Sequence, residues 1–397
     1  MNDPWDSFVT RVGSAEVAGY FERAGPSVGR AGYSASFTRV EEVETLTPTS
    51  DLGKVTASCG RFVRHDPRRS VVGYVGFDAV GLFEPALRSF PAGSPFPLGE
   101  LALASDVRFS RVPPRRSPPA AQVKVLRNER DSLPRPRFMA SVRRLRRDIR
   151  NGEAYQVVLA HRREWTRPND LLLRAGRLRA SERYSFFYYL RFGDRELLGV
   201  SPESVVEVDG RHAVINPIAG TLPAGAASRG RLPLETDPKE LAEHRMLVDL
   251  ARNDLGRVAR PGSVRLLDRE RRVRYARLEH LVSRVGAQLT PGVGPWEALA
   301  VTFPAGTVSG APKIRATQLL RREEATWRGP YAGTVGLVRS GGRADWALAI
   351  RSAFAAGSRL YTAAGAGIVY GSEPGREFHE TLTKLAHVED VVVGGEP

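Results

Sequence analysis

The chain has 397 residues, 42% of them hydrophobic, and can therefore bury a large core as one big domain or as two. No apolar run reaches the roughly 20 residues that cross a bilayer, and the N-terminal MNDPWDSFVTRVGS lacks the basic-then-apolar pattern of a signal peptide. The single cysteine, Cys59, excludes an internal disulfide and a CxxC metal site. We therefore expect a cytoplasmic protein that has no membrane partner.

The formal net charge of +15 would normally favour a nucleic-acid-binding surface. Only five of the 59 basic residues are lysine, however, and the arginines are scattered, which indicates a compositional bias of the genome. The densest stretch, RPRFMASVRRLRRDIRNGE, is typical of a helix with a solvated basic face, and no nucleic-acid-reading motif accompanies it. We expect no nucleic-acid partner.

The first 130 residues give irregular signals, with strand-like runs such as RSVVGYVGFDAVGLFE and a proline-rich loop or linker at 111–120. A helix is predicted over 137–151. The segments AYQVVLAHRREW and YSFFYYLRFGDRELLGVSPESVVEVDG are then predicted as strands, the latter joined by Gly-Asp and Asp-Gly turns.

Two long helices are predicted next, over 238–254 and about 307–324, followed by more strands and a final helix that begins at Pro374. Many antiparallel strands with helices inserted between them predict an α+β protein built on large sheets.

Two of these helices carry glutamates three residues apart. Glu240 and Glu243 lie on one face in DPKELAEHRMLVDLARND, and Glu377 and Glu380 repeat the spacing in GSEPGREFHETLTKLAHV. Either pair alone is usually a solvated helix face. Two such helices facing each other would supply the oxygen ligands that Mg²⁺ prefers.

Three further features favour an anionic ligand. In FPAGTVSGAPKIRATQLL a glycine-rich loop runs into a helix near Pro312 and Lys313, which would present N–H groups to an anion, although a structural turn explains it equally well. YTAAGAGIVYG is a glycine-punctuated strand that lets a ligand approach the backbone. Arg351, which the pattern places inside an apolar strand, either pairs with a buried acid or clamps a carboxylate.

The run from about 137 to 390 resembles the chorismate-utilising enzymes, most nearly the large subunit of anthranilate synthase. The matching segments, in the family's order, are AYQVVLAHR, GVSPESVV, NPIAGTLPAG, DPKELAEHRMLVDLARNDLGRV, LEHLVSRV, PAGTVSGAPKIRA, RGPYAGTVG, IRSAF, AGAGIVYGSEP and REFHETLTK. The resemblance implies large antiparallel sheets packed together with helices outside. Residues 1–130 would form a divergent N-terminal portion of the same unit, and 131–397 the chorismate-binding catalytic core.

The resemblance also implies a metal site. Glu243, Glu377 and Glu380 would be the ligands of Mg²⁺, and Glu240 would complete the acidic wall of the catalytic site. The ion would act as a Lewis acid and as a template for a substrate carboxylate.

Roles in catalysis and binding follow in the same way. Glu203, in SPES, would be the general acid for the departing C4 hydroxyl, and His280, in LEHLVS, would remove the C2 proton during pyruvate elimination. Arg351 and Tyr331 would hold the enolpyruvyl carboxylate. The positions that would contact substrate are Gly220, Thr221, Thr307, Tyr331, Arg351, Gly365, Ala366, Gly367 and Lys384.

Two positions bear on the nucleophile. Relatives that add water carry a lysine at the position of Gln156, and those that aminate C4 usually carry one at the position of Ala219. Gln156 has no basic lone pair, so ammonia is the expected nucleophile and C2 its expected target. The product would be anthranilate, or 2-amino-2-deoxyisochorismate if elimination does not follow. A 4-amino-4-deoxychorismate synthase and a catalytically inactive binding subunit are the further alternatives.

Ammonia at neutral pH is mostly ammonium, so the enzyme would receive it from a separate glutamine amidotransferase subunit, within a homo- or hetero-oligomer. The chain departs from the family's tryptophan-inhibited members, which carry LLES and PSPY where it has GYFERAGPS and ASERYSFF. It also has Gly371 where an aspartate is common. The two missing segments favour a role in specialised metabolism without feedback inhibition by tryptophan, whereas the glycine bears on the fate of the product.

Overall fold

The computed structural model describes residues 3–24, 32–64, 66–112, 123–181, 184–223, 232–275, 278–324 and 326–394. No helix within these ranges is both long and apolar enough to span a bilayer. The helices in the described ranges are α1 Pro4–Val12, α2 Leu52–Val63, α3 Val80–Phe83, α4 Arg135–Arg150, α5 Leu171–Ser181, α6 Pro238–Gly256, α7 Pro295–Thr302, α8 Gly306–Ser309, α9 Lys313–Glu324 and α10 Pro374–Val388.

The strands form two sheets, each with ten members in the described residues. They are β1 Val17–Arg23, β2 Tyr33–Phe37, β3 Val40–Leu46, β4 Ser70–Val75, β5 Gly99–Ala104, β6 Arg108–Arg111, β7 Asn128–Asp131, β8 Gln156–Thr166, β9 Phe186–Phe192, β10 Arg195–Ser201, β11 Ser204–Asp209, β12 His212–Ile215, β13 Ile218–Pro223, β14 Arg265–Tyr275, β15 Leu278–Gln288, β16 Gly310–Ala311, β17 Thr334–Arg339, β18 Arg343–Leu348, β19 Ser352–Ala356 and β20 Arg359–Ile368.

Sheet A has the order β16-β8-β20-β19-β10-β9-β1-β2-β6, with β7 also on β8. Sheet B has the order β13-β15-β12-β11-β18-β17-β4-β5-β3, with β14 also on β15. The N-terminal strands are built into both sheets, since β1 lies between β9 and β2 and β4 lies between β17 and β5. The strand pairs are antiparallel, so the predicted fold class of large antiparallel sheets is confirmed.

The core fills the space between the sheets. Phe21 and Phe37 of sheet A and Val72 and Leu337 of sheet B belong to one buried cluster, so the two sheets pack against each other. A second cluster covers the outer face of sheet A, where α1 packs on β1 and β2 and α5 packs on β9 and β10. Helices therefore lie outside the sheets, as the resemblance implied.

Local sequence explains the elements that carry the site. In α4 the residues Phe138, Val142, Leu145 and Ile149 are buried at spacings of three and four, the pattern of an amphipathic helix. Pro374 stands in the first turn of α10, where its missing N–H removes no helix hydrogen bond. The helices predicted over 137–151 and 238–254 and the helix from Pro374 are confirmed to within a few residues.

Two predictions about secondary structure were wrong. The helix predicted over about 307–324 is divided into α8 and α9, because Gly310 has a φ of 128° and pairs with Val157 as part of β16. In the strand-like stretch at 69–84 only β4 is a strand, and α3 follows it after a 3₁₀ turn. Most of the proline-rich stretch, 113–120, lies outside the described residues.

Candidate active site

Glu203 is a buried carboxyl group in the turn between β10 and β11. Its side chain lines a cavity of about 30 Å³, whose other walls include Leu247 and Thr307. The Thr307 hydroxyl, on α8, donates a hydrogen bond to Glu203 Oε1 over 2.8 Å. Burial raises the pKa of Glu203 to about 8, although the Thr307 bond and the charge of Lys384 both lower it. The carboxyl is therefore mostly protonated at neutral pH and can donate a proton.

His280, on β15, is a buried imidazole whose tautomer is fixed by one bond. Its Nδ1 lies 2.9 Å from the carbonyl oxygen of Gly220, which only accepts, so Nδ1 carries the proton and Nε2 is the basic nitrogen. Burial, together with the charges of Arg351 and Lys384, lowers the pKa of His280 to about 4. The ring is therefore neutral at pH 7 and can accept a proton.

Gly220 joins His280 to the first glutamate of α6. A Cβ added at Gly220 would lie 2.8 Å from Glu240 Oε2, and the glycine has a φ of +67°, which side chains with a Cβ rarely adopt. Glu240 and His280 therefore approach the same backbone turn from two directions. Thr221 follows within β13, but its side chain lies outside the described part of the structure.

Tyr331, Gly365 and Lys384 meet on the glycine-rich strand β20. Lys384 Nζ, on α10, donates to the Gly365 carbonyl over 2.9 Å. A Cβ at Gly365 would lie 3.2 Å from the Tyr331 hydroxyl, so the glycine leaves space for that hydroxyl. Burial raises the pKa of Tyr331 to about 12, which keeps its hydroxyl protonated and available as a donor.

The structure places Arg351 elsewhere than the sequence predicted. It lies between β18 and β19 with a φ of 52°, not inside an apolar strand. The reason is topological: β18 belongs to sheet B and β19 to sheet A, so the chain must bend sharply between them. The Arg351 charge lowers the pKa of both His280 and Tyr331, which locates its guanidinium near both groups.

Gln156 begins β8 and is 8% exposed. A Cβ added at Gly367 would lie 2.6 Å from Gln156 Nε2, so the glycine leaves the amide its space. No hydrogen bond reaches the buried Gln156 Oε1 from the residues that the structure describes. Ala366 lies between Gly365 and Gly367, and its side chain packs into the core on the opposite face of β20. Only the backbone of Ala366 can therefore contribute to the site.

The candidate metal ligands lie on α6 and α10. Glu243 and Glu377 are half-buried and Glu380 is exposed, with its Oε1 2.7 Å from Lys384 Nζ. Within the described ranges no three acidic, histidine or cysteine side chains are grouped closely enough to hold an ion. The donor chemistry fits Mg²⁺, which takes a few carboxylates and completes its shell with water and substrate.

Lys313, at the start of α9, serves the fold. Its Nζ lies 2.9 Å from Asp254 Oδ2 and also donates to the carbonyls of Val301 and Thr302. The ammonium group is thus directed at α6 and α7. Of the two interpretations of the glycine-rich loop, the structural turn accounts for its lysine.

The model of the chorismate binding enzyme family matches residues 22–390. The chain belongs to the chorismate-binding enzymes. The resemblance to the large subunit of anthranilate synthase is confirmed by relatives and by structure. An anthranilate synthase component 1 from Methanothermobacter thermautotrophicus is 35% identical over 379 residues, which cover 88% of this chain and 79% of that protein.

The chain is also similar to two other chorismate-binding enzymes, one by sequence and one by structure. A 2-amino-4-deoxychorismate synthase from Streptomyces globisporus is 39% identical over 272 residues, covering 67% of this chain and only 54% of its own length. The crystal structure of anthranilate synthase component I from Streptococcus pneumoniae TIGR4 has a TM-score of 0.80 at 26% identity and covers 93% of each chain. The chain thus spans little more than half of the Streptomyces globisporus protein.

Sequence reasoning about this chorismate-binding enzyme missed Arg328. Its buried guanidinium donates to Glu324 and to the carbonyls of Val308 and Val158, over 2.7 to 2.8 Å. Val308 follows Thr307 on α8 and Val158 lies beside Gly367 on β20, so Arg328 positions the backbone on two sides of the site. The available signal was an arginine directly before the Gly-Pro turn in RGPYAG.

Proposed function

We propose that this enzyme aminates chorismate at C2 with ammonia and then eliminates pyruvate, releasing anthranilate. The observation that carries the proposal is the opposite protonation of two buried groups at neutral pH. Glu203, with a pKa of about 8, is an acid that holds its proton, whereas His280, with a pKa of about 4, is a neutral base. Paired groups whose surroundings separate their pKa values in this way are the usual mark of acid and base assignments.

The two steps use these groups in turn. In the first, ammonia bonds to C2, the ring double bonds shift, and the C4–O bond breaks while the Glu203 carboxyl protonates the leaving oxygen, so that water departs. In the second, Nε2 of His280 accepts the C2 proton, the C3–O bond breaks, and the enolate of pyruvate leaves as the ring becomes aromatic. Proton transfer by positioned groups of this kind typically contributes about 10²- to 10⁴-fold to the rate.

Substrate binding would strengthen His280 as a base. Two causes of its lowered pKa are the charges of Arg351 and Lys384. A dicarboxylate held by these cations would offset their charge, and the pKa of His280 would rise toward neutrality. The ring would then accept a proton more readily in the complex than in the free enzyme.

Gln156 supports ammonia over water as the nucleophile. Its amide cannot remove a proton from water, but its buried Oε1 is an acceptor that no described residue satisfies. An N–H of ammonia would complete that hydrogen bond and place the nitrogen lone pair toward the ring. The ammonia itself would come from a separate glutamine amidotransferase subunit, because the free base is scarce at neutral pH.

The proposal includes Mg²⁺ held by Glu243, Glu377 and Glu380, with Glu240 in the surrounding acidic wall. These carboxylates lie on the two helices that also carry the contacts to Gly220 and Gly365. When bound, the ion would supply Lewis-acid stabilisation and orient a substrate carboxylate.

A second candidate retains the enolpyruvyl group. The relative from Streptomyces globisporus is named a 2-amino-4-deoxychorismate synthase, a name that describes amination at C2 without loss of the side chain. The sequence departures from tryptophan-inhibited relatives also suit such a role in specialised metabolism. His280 and its bond to Gly220 favour the elimination that this candidate lacks.

One experiment separates the candidates. The purified chain is incubated with chorismate, Mg²⁺ and a high concentration of ammonium salt at mildly alkaline pH, and products are identified by mass and fluorescence. Fluorescent anthranilate together with pyruvate supports the proposal. An aminated product that keeps the enolpyruvyl group supports the second candidate, and chorismate left unchanged over repeated preparations would contradict both.

A further inference from the structure

Asp78 is a buried carboxyl group of the N-terminal portion that is not among the candidate site residues. It lies in the 3₁₀ turn Phe77–Ala79 after β4 and is 5% exposed. Its Oδ2 accepts hydrogen bonds from the backbone N–H groups of Arg328, over 3.0 Å, and of Gly329, over 2.7 Å. Both bonds are buried, so loss of this acceptor would deprive two backbone donors of their partner where water cannot replace it.

Further contacts fix the same two residues. The backbone N–H of Phe77 donates to the Gly329 carbonyl over 2.8 Å, and the Arg328 guanidinium lies 4.3 Å from the centroid of the Phe77 ring. A Cβ added at Gly76 would lie 2.8 Å from the Gly329 carbonyl oxygen, so this close approach requires a glycine. Residues 76–78 therefore hold three backbone polar groups of Arg328 and Gly329.

The Arg328 side chain connects this turn to the general acid. Its guanidinium donates to the Val308 carbonyl over 2.8 Å, and the preceding residue, Thr307, donates to Glu203. Helix α8 has only four residues and closes about one turn, so contacts from outside the helix must hold it in place. Because the guanidinium is a rigid plane, a shift of the Arg328 backbone would displace its bond to Val308.

Glu324 connects Arg328 to the opposite wall of the site. It forms an ion pair with Arg328 at 2.5 Å, and its Oε1 accepts from the backbone N–H of Ala160 over 2.9 Å. Ala160 pairs across the sheet with Gly365, whose carbonyl accepts from Lys384. The position of Arg328 therefore bears on β8 as well as on α8.

We propose that Asp78 is a positioning residue for the general acid, Glu203, and acts through Arg328. The inference rests on the proposed function, since it takes Glu203 to be the group that protonates the leaving oxygen. Without the Asp78 acceptor the Arg328 turn would shift, and the Thr307 bond that lowers the pKa of Glu203 would weaken. The N-terminal portion, which contributes none of the candidate catalytic residues, would thus tune the acid from outside the site.

The test measures the pKa of Glu203 in the absence of substrate. The infrared band of its protonated carboxyl is followed against pH and is identified by its loss in Glu203→Gln. Asp78→Ala removes the acceptor, and Gly76→Ala displaces the same turn without changing any carboxyl group, because its methyl group would meet the Gly329 carbonyl. For each chain kcat/KM is also measured with chorismate, Mg²⁺ and ammonium salt.

Two further variants serve as controls. Glu100→Ala removes another buried carboxylate of the N-terminal portion, whose partners are Tyr74 and Arg195. Asp78→Asn is the conservative variant, because its amide oxygen can accept the same two N–H bonds while Glu324 still neutralises the guanidinium.

Both Asp78→Ala and Gly76→Ala should raise the pKa of Glu203 above its value of about 8 and lower kcat/KM by about tenfold or more. Asp78→Asn should restore most of both properties, and Glu100→Ala should leave the pKa of Glu203 unchanged. In the Thr307→Val chain, Asp78→Ala should raise that pKa no further, because the bond through which it acts is already absent.

An unchanged pKa of Glu203 in both alanine variants of the turn would overturn the proposal. An equal rise in Glu100→Ala, or a full further rise in the Thr307→Val chain, would also overturn it, since either result indicates a general loosening of the fold. If Asp78→Ala does not fold, Gly76→Ala decides the matter alone. If no chain consumes chorismate, the proposed function fails, but the infrared measurement still decides the role of Asp78.

Discussion

The Nδ1–H of His280 donates to the carbonyl oxygen of Gly220 over 2.9 Å, and this bond leaves Nε2 as the basic nitrogen of a neutral ring. The same glycine has a φ of +67° and gives Glu240 Oε2 its space. One backbone turn thus orients a base and an acidic side chain together.

His280→Asn should separate the two chemical steps. The asparagine amide can still donate to the Gly220 carbonyl, but it offers no basic nitrogen at the position of Nε2. We expect amination to continue and pyruvate release to fall by about 10² to 10⁴, with an aminated, enolpyruvyl-bearing product accumulating. Product ratios by mass spectrometry check this, and unchanged anthranilate release would remove His280 from the elimination step.

Glu203→Gln should abolish the first step while preserving the fold. Glutamine has the same shape and can accept the Thr307 bond, but it has no proton to transfer to the leaving oxygen. We expect turnover to fall by about 10² to 10⁴ with little change in the affinity for chorismate. Single-turnover kinetics and equilibrium binding test the two halves of this expectation separately.

The pH dependence follows from the signs of the two shifts. Glu203 must be protonated, so activity should fall as pH rises through about 8, and His280 must be neutral, so activity should fall as pH drops toward about 4. Thr307 lowers the pKa of Glu203, so Thr307→Val should move the alkaline limb to higher pH. The acid limb of kcat should lie above that of kcat/KM, because bound substrate offsets the charges near His280. If the acid limbs of kcat and kcat/KM coincide, bound substrate does not change the pKa of His280.

Gly367→Ala should damage the site through Gln156. The added methyl group would lie 2.6 Å from Gln156 Nε2 and would force the amide to move. Because that amide is the end of a flexible side chain, moving it should change the free energy of unfolding little, and we expect kcat/KM to fall by about tenfold or more. Gly371→Ala is the matched control, since nothing lies within 4 Å of its added Cβ. Thermal unfolding of both variants checks that the fold is kept, and equal effects of the two alanines on kcat/KM would contradict the role of Gly367.

Glu243→Gln should weaken Mg²⁺ binding and raise the Mg²⁺ concentration required for turnover. Loss of one carboxylate removes both a charge and a preferred ligand. Glu373→Gln is a suitable control, because Glu373 is exposed and pairs with Arg376 at the start of α10. Titration calorimetry with Mg²⁺ provides a measurement that does not depend on activity. Equal Mg²⁺ affinity in the Glu243 variant and the control would exclude Glu243 as a ligand.

Much of this fold was accessible from local sequence. The strands β9, β10 and β11 were predicted because turn residues separate apolar runs, and α10 was predicted because Pro374 can begin a helix but cannot continue one. The segments around Glu203, His280 and Gly365 gave the family, and the structure connects these residues through Thr307, Gly220 and Lys384.

Non-local geometry accounts for the errors. The helical pattern at 307–324 contained no sign that Gly310 and Ala311 would pair with β8, since pairing depends on a strand more than 150 residues earlier. Arg351 stands in the mostly apolar run LAIRSAF, and only the crossing between the two sheets turns its backbone into a left-handed conformation. The periodicity of apolar residues cannot predict either the pairing with β8 or the backbone conformation of Arg351, because both depend on segments that are distant in the sequence.

The N-terminal strands lie within both sheets, and this limits how the chain can be shortened. Removing the first 130 residues would remove β1, the partner of β9, and β4, the partner of β17. The strands β9 and β17 would then have unpaired edges, although each now lies inside a continuous sheet. Exposed apolar edges of this kind promote self-association. A fragment starting near residue 131 should therefore aggregate although it retains every candidate catalytic residue, and engineering of new specificity is better directed at side chains than at chain length.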